Sequence, residues 1–345
     1  MKPNKRRSRE FRHLLIVLIL ESLSLWSGLS SASAQMVKVR VAYPTLGAIV
    51  LPAWVTREAG LDRKHGLDTE LIFLRGGTTT IQALLSRSIE FATLSGTSIT
   101  LANLGGADLV IIGAYHNRLN FKIIARPEIM APKDLVGKKI GVQSFTGASA
   151  FAGRVGLQKL GLNPADVQFV AMGDNQGILS GMDSKALAAG AISDPHGLMA
   201  QKLGFRVFHD FLKSDLPFAS LSVVTKRDYA SSHEEILTRM LKAQMEGIRY
   251  LVAYPDRAKK VIGKYARLQD PEVLDYTLRL YSGSYLPSFM PEPEGMKSVY
   301  EGMVDQRPET KNLDPRAYIY DSVIRKIHQS GFPGELDRLY PGTRQ

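Results

Sequence analysis

The residues of this chain with the most to offer chemically are hydroxyls beside glycines, at the ends of apolar runs. Thr45, Thr78, Thr79, Ser95, Thr97, Ser144, Thr146 and Ser149 all fall at expected strand exits, several of them just before an expected helix. The first N–H groups of a helix lack intrahelical partners, and its dipole favours negative charge by about 0.3–1 kcal/mol per end. Hydroxyls and such N–H groups together can grip a small polar or anionic solute, but they supply no nucleophile and base. A single hydroxyl of this kind is explained by capping of its own helix. The whole set, recurring along the chain, is explained better by ligand binding.

Other chemistry finds little support. Six histidines lie beyond residue 34, namely His65, His116, His196, His209, His233 and His328, and no two stand at a local metal-ligand spacing. His116 and His196 are the two that adjoin expected cleft loops. There is no Gly-x-Ser-x-Gly elbow. Val136-Gly137-Lys138-Lys139 is not a phosphate loop, because Pro132 stands where the first glycine belongs and Lys139 where Ser or Thr belongs. Gly141 to Gly147 does not satisfy the dinucleotide fingerprint either. No catalytic residue, metal or cofactor is expected.

The elements that must position these hydroxyls are legible from the pattern. Val37 to Ala42 alternates basic and apolar residues as a first strand, Thr45-Leu46-Gly47-Ala48 is its exit loop, and Pro52 to Glu58 begins a helix. Glu58 to Thr97 then reads helix, turn, buried strand (Leu71 to Leu74), glycine-hydroxyl loop (Arg75 to Thr80), helix, strand (Glu90 to Leu94) and second glycine-hydroxyl loop (Ser95 to Thr97). Val110 to Ile112 and Phe121 to Ala125 are further strands. A related pattern follows, with a turn-initiated short helix at Pro132, a strand to Val142, the loop Phe145 to Ser149, a helix over Ala150 to Leu160 and a strand over Val167 to Ala171. Gly60-Leu61 through Leu94 is thus loosely matched by Gly156-Leu157 through Ser193.

Two similar α/β units predict two lobes with ligand loops at the strand ends. Ala219 to Thr225 is another strand, and beyond it the chain is helical. Ser232-His233-Glu234-Glu235 reads as a capping box, Asp270-Pro271-Glu272 as a helix start, and Asp314-Pro315 as the start of the last long helix. For the tail to pack on the first lobe, the chain must cross between lobes near 118–126 and near 219–226. Residues 36–118 with 226–345 then form lobe 1, and 119–225 form lobe 2.

Bulk properties set the compartment. Lys2, Lys5, Arg6, Arg7, Arg9 and Arg12 precede the apolar run Leu14 to Leu20, and Ala32-Ser33-Ala34 offers small residues for cleavage after Ala34. Residues 1–34 therefore read as a signal peptide, with Glu21 interrupting a run too short to span a membrane comfortably. Their removal takes away six basic and two acidic groups and lowers the formal net charge from +11 to +7. The remaining charges are scattered, so no nucleic-acid partner is expected, although a positive field draws in anions. With no cysteine, the exported chain is not a lipoprotein and must be held by its hydrophobic core. Roughly 310 residues suffice for that.

The combination resembles the periplasmic solute-binding proteins of ABC importers, in the SsuA-like branch associated with nitrate, sulfonates, taurine and thiamine-precursor pyrimidines. The residues that carry the resemblance are Ala59-Gly60-Leu61, His65-Gly66-Leu67, Gly76-Gly77-Thr78, Ala83-Leu84-Leu85, Glu90-Phe91-Ala92, Pro132-x-Asp134-Leu135-x-Gly137-Lys138-Lys139-Ile140-Gly141-Val142, Gly161-Leu162, Asp166-Val167 and Asp194-Pro195. It implies a type II-like fold of two α/β lobes, each a sheet flanked by helices, joined by two crossover segments and closing on ligand by a hinge.

Carried onto this chain, the resemblance implies ligand contacts at Thr45, Leu46, Gly47, Gly77, Thr78, Ser95, Gly96 and Thr97 of lobe 1. On lobe 2 it implies Thr146, Gly147, Ala148 and Asp194, with Asn117 near the crossover. One departure is Lys185-Ala186-Leu187-Ala188-Ala189, where the family often has Gly-x-Val-Asp-Ala. An acid at Asp194 facing the cleft would favour an amine-bearing or neutral ligand over a simple anion. The implied protein is a monomeric, non-enzymatic periplasmic receptor that hands a small organic solute to the membrane subunits of a permease. The rivals are a pyrimidine-precursor synthase of the same fold, which relies on a cysteine-rich motif, and a sensory ligand-binding module.

Overall fold

The computed structural model describes residues 36–214 and 216–343; the expected signal peptide lies outside the described residues. In chain order the strands are β1 (Val37–Tyr43), β2 (Leu67–Phe73), β3 (Phe91–Leu94) and β4 (Leu109–Arg118), then β5 (Phe121–Ala125), β6 (Lys139–Val142), β7 (Gln168–Ala171), β8 (Ala189–Ser193), β9 (Arg206–Asp210) and β10 (Pro217–Lys226). They form two five-stranded sheets of order β2-β1-β3-β10-β4 and β7-β6-β8-β5-β9. β10 runs antiparallel to β3 and β4, and β5 antiparallel to β8 and β9, while β1 pairs parallel with β2 and β3 and β6 with β7 and β8. Both sheets therefore follow one plan, in the order second, first, third, inserted antiparallel strand, fourth.

The inserted strand is in each case the one that has just crossed from the other sheet. β5 follows β4 after Leu119 and Asn120, and β10 follows β9 after residues 211–216. The second crossing thus comes earlier than the expected 219–226, because residues 217–226 are already hydrogen-bonded to β3 and β4. Helices cover the sheets, and the fold is the two-lobed α/β architecture expected. With the parallel strands of each sheet aligned, their carboxyl ends carry the glycine-hydroxyl loops to one edge.

The sequence echo holds at the level of topology but not of register. Gly60 ends the helix Leu51–Glu58 with φ +68°, and the glycine that does the same after the helix Ala148–Lys159 is Gly161, at φ +78°. Gly156 lies inside that helix, where an added Cβ would come within 2.5 Å of Ile123 Cγ1. Two expected helix starts also shift. Ser232 ends a short helix, Arg227–Ser232, and its Oγ donates to Asp228 O at 2.7 Å rather than capping the helix Glu234–Ala253. Asp314 accepts from Arg316 N in a turn, and the last helices are Ser322–Gln329 and Phe332–Leu339. Asp270 behaves as read, accepting from Glu272 N and Val273 N at the start of Pro271–Ser282.

The helical tail packs on the first sheet through a core that includes Val39, Trp54, Tyr115, Leu241, Tyr281 and Phe289. A second core joins the sheets, running from Leu94 and Ile99 through Ile123 and Phe151 to Phe218, Met296 and Val299, with the Phe151 and Phe218 ring centroids 4.6 Å apart. A polar strut braces the first lobe. Buried Glu246, on Glu234–Ala253, meets Lys64 Nζ at 2.5 Å, His65 Nε2 at 2.8 Å and Tyr340 OH at 2.6 Å.

Burial pushes the Glu246 carboxyl up, but the bonds from His65, Lys64 and Tyr340 outweigh it and hold the pKa at about 2. A depressed carboxylate pKa stabilises the fold fully above the unfolded value near 4.5, and the contribution is lost as pH falls towards 2. Glu246→Gln is therefore expected to lower stability at pH 7 by roughly 3 kcal/mol and to flatten its decline between pH 4.5 and 2. Urea unfolding across that pH range measures both; parallel curves for the two proteins would exclude the strut.

Candidate functional site

Three helices begin at one cavity. Gly77–Leu85 starts beyond Gly76, Gly96–Leu104 beyond Ser95, and Ala148–Lys159 beyond Gly147. The cavity holds about 60 Å³, several times what one water needs, and lies between loops from both sheets. Its polar wall comes from Thr45, Ser95, Ser98, Asn120, Gln143, Ser144, Ser193 and Ser220, and its apolar wall from Ile49, Leu94, Phe121 and Leu221. Among the described residues no charged side chain lines it. The polarity these residues aim at a guest is thus that of hydroxyls, amides and helix N-termini, which suits a compact polar or anionic group.

Local chemistry explains the loop shapes. Gly76 sits at φ +82° and ψ 156°, a backbone state that side-chain-bearing residues avoid, and it turns the chain from the Arg75 side into the helix. Ser95 caps its helix, accepting from Ser98 N at 3.4 Å, and its Oγ also meets Thr97 Oγ1 at 2.8 Å and Ser98 Oγ at 3.1 Å. Ser149 is spent on structure, accepting from Gln143 N and donating to Ala191 O.

The loops of the two sheets touch. Ser98 Oγ donates to Thr146 O at 3.1 Å, Thr78 Oγ1 lies 3.4 Å from Thr146 Oγ1, and Arg75 pairs with Asp174 at 3.2 Å. Gly173 admits this approach, since a Cβ there would lie 2.7 Å from Arg75 Cδ. The cleft is closed in this structure.

Of the residues expected at the site, Thr45, Gly77, Ser95, Gly147 and Ala148 line the cavity. Thr78 and Thr146 form the contact between the loops, and Leu46 and Gly47 line a neighbouring cavity. Thr97 is buried behind Ser95. Gly96 faces the core, where a Cβ would meet Ala219 Cβ and Met296 Sδ at 2.9 Å. Asn117 is buried away from the cavity wall, and Asn120, three residues on at the crossing, lines it instead.

Asp194 is buried and engaged elsewhere, in an ion pair with Lys122, with Leu198 N at 3.0 Å, and with Tyr276 OH at 3.1 Å. Lys122 offsets its charge, so Asp194 does not present the cavity with the negative field the sequence suggested. Ser98, Gln143, Ser193 and Ser220 were missed. Ser98 was one residue past a noted loop, and Ser193 and Ser220 belong to strands whose proximity no local pattern reveals.

His116 stays outside the cavity wall. Burial pushes its pKa down to about 4, and Nδ1 lies 2.9 Å from Arg118 O. Among the described residues no group of three or more His, Cys, Asp or Glu is placed to hold a metal ion, and no helix is long and apolar enough to cross a membrane.

Comparison with known proteins gives the same picture. The family model described as NMT1/THI5 like matches residues 50–258. A Brucella abortus protein named as a binding protein is 28% identical over 260 residues, spanning 72% of this chain and 77% of its own length. The alkanesulfonate-binding protein SsuA from Xanthomonas axonopodis pv. citri, bound to MOPS, superposes with a TM-score of 0.70 at 17% identity, covering 83% of this chain and 98% of that one. The periplasmic nitrate-binding protein NrtA from Synechocystis PCC 6803 superposes at 0.71 with 13% identity, covering 89% and 92%. The fold is that of the two-lobed periplasmic binding proteins.

Proposed function

The chain belongs to the NMT1/THI5-like family, and from that premise we propose that it is the extracytoplasmic solute receptor of an ABC importer, closing its two lobes on a compact oxoanion such as a sulfonate or nitrate. The observation that carries this reading is the convergence of three helix N-termini on an uncharged, hydroxyl-lined cavity between the sheets. Neutral donors can bind an anion without a counter-charge when the N–H groups are already oriented, and each helix end adds its partial positive charge. Pairing of Asp194 with Lys122 removes the objection that an acid would repel such a guest.

In this reading residues 1–34 direct export to the periplasm, and the monomeric receptor works as two lobes. The first is built on the β1–β4 and β10 sheet with the helical tail, the second on the β5–β9 sheet. Thr45, Gly77, Ser95, Gly147 and Ala148 contact the solute, joined by Ser98, Asn120 and Ser193. Thr78 and Thr146 meet as the lobes shut, and a permease recognises the shut form. The kinship with proteins named for binding, and a sequence without cysteine, support a receptor over a pyrimidine-precursor synthase.

Thermal unfolding with methanesulfonate, taurine, nitrate and a methylpyrimidine tests the reading. A ligand at a hundred times its Kd stabilises the folded state by about 2.7 kcal/mol, so an oxoanion is expected to raise Tm by several degrees while the pyrimidine does not. A shift with the pyrimidine alone, or with none of the four, would defeat it.

A further inference from the structure

A second cavity, of about 350 Å³, adjoins the first. The two share Thr45, and they meet again across the bonds joining Arg75 to Gly76 and Gly173 to Asp174. Its wall differs in kind. Leu46, Met199 and Leu268 make it partly apolar, while Arg75 and Arg267 bring two guanidinium groups against the single carboxylate of Asp174.

That carboxylate is already committed. Oδ1 accepts from Gly177 N at 2.8 Å as the cap of the helix Asn175–Asp183, and Oδ2 pairs with Arg75 at 3.2 Å. Arg267 follows the helix Pro255–Ala266 in the left-handed conformation at φ +56°, and no carboxylate pairs with it among the described residues. His196, more than nine-tenths buried, also lines the cavity, and its Nδ1 finds no hydrogen-bond partner. Burial lowers the pKa of His196, against the opposing pull of Asp174 and Asp194, so the ring stands as a neutral donor and acceptor. An uncompensated cation, an unpartnered buried imidazole and an apolar wall in one cavity are what a short carbon chain ending in an acid group would satisfy.

We propose that this second cavity is a tail subsite, holding the anionic far end of a solute whose oxoanion head sits among the helix N-termini, so that the preferred ligands carry an acid at both ends. The proposal rests on the receptor reading above and deepens it. In the bound state the head closes the lobes through the Ser98 and Thr146 loops, the chain runs past Thr45 along Met199 and Leu268, and the tail carboxylate meets Arg267 and His196.

The test is calorimetric titration of the wild type and of Arg267→Gln with sulfoacetate, 3-sulfopropanoate and 4-sulfobutanoate, each compared with its own primary amide. The amide keeps shape and head group and loses only the tail charge. One acid of the series is expected to bind the wild type about tenfold more tightly than its amide, as a charge-assisted bond in a partly closed site allows. In Arg267→Gln that gap collapses while the amide binds as before. Acids and amides that bind the wild type equally well would leave the head cavity standing and overturn the subsite. Tighter binding of the amides would overturn it too. Failure of every sulfonate, acid and amide alike, would instead defeat the oxoanion reading of the head cavity and the subsite with it. Arg267 is exposed, and the comparison of acid with amide in the wild type stands without the variant.

Discussion

Gly77→Val is expected to weaken solute binding at least a hundredfold while leaving Tm of the unliganded protein within about 2 °C of the wild type. The figure corresponds to roughly 2.7 kcal/mol, within the range that overfilling a packed space costs. Gly77 opens the helix Gly77–Leu85 with an ordinary backbone, so a side chain brings no backbone strain. Its Cβ would lie 2.9 Å from Ser98 Oγ and 3.7 Å from Thr146 Oγ1. Ser98 belongs to the neighbouring loop of the same sheet and Thr146 to the facing loop of the other, so valine's methyls enter the cavity and prise Ser98 from Thr146 O. Once released from Thr146 O, the Ser98 hydroxyl is free to rotate away from the methyls, whereas in a closed, occupied cleft it is held against them.

Gly96 is the control, since it stands at the matching place after β3 but faces Ala219, Met296 and Val299 within 3.0 Å. Gly96→Val is expected to cost about 1–3 kcal/mol of stability through overpacking, with bound affinity little changed in whatever fraction folds. Titration and melting curves of the two variants decide the matter. If Gly77→Val melts like Gly96→Val and still binds, the cavity is not the solute site.

These two glycines also mark how far the sequence could be read. Strands, exit loops and helices recur with local periodicity, and so the two-sheet plan was legible down to the strand Phe121–Ala125, which the structure reproduces residue for residue. The glycine-hydroxyl loops were correctly placed at strand exits. What local pattern cannot tell is which way a residue within such a loop faces. Gly96 looks into the core because β10 and the helix Pro293–Glu301, more than a hundred residues further on, pack against it, while Gly77 meets Ser98 and Thr146 at the cleft. The same holds for Ser193 and Ser220, which reach the cavity through sheet pairing alone. Asn117 and Asn120 both stand near the crossing, and only the end of β4 at Arg118 decides which of them meets the cavity.

Asp194→Ala is expected to cost about 3–5 kcal/mol of stability, because it strands a buried cation. Lys122 and Asp194 are both nearly inaccessible, and Asp194 is their meeting point with three other groups. Its Oδ1 accepts from Leu198 N, its Oδ2 from Tyr276 OH, and its carbonyl from Tyr281 OH at 2.8 Å, while Asn120 Nδ2 donates to the same Tyr281 hydroxyl at 3.0 Å. Tyr276 and Tyr281 sit on the helix Pro271–Ser282, whose core face packs with the first sheet. Asp194 itself follows β8 of the second sheet. The carboxylate therefore ties the two halves together at the crossing, and its removal loosens both the ion pair and that tie.

The double variant Lys122→Met, Asp194→Leu is expected to recover most of the loss, since well-packed apolar residues often replace a buried ion pair without penalty. Urea unfolding of the three proteins separates the possibilities. A stable Asp194→Ala that no longer binds solute would return Asp194 to the ligand. A destabilised one, rescued by removing Lys122 as well, assigns it to the joint on which the lobes are hung. The joint lies beside the cavity without lining it, so a change there should alter how readily the lobes close while the hydroxyls and helix ends that grip the solute keep their selectivity.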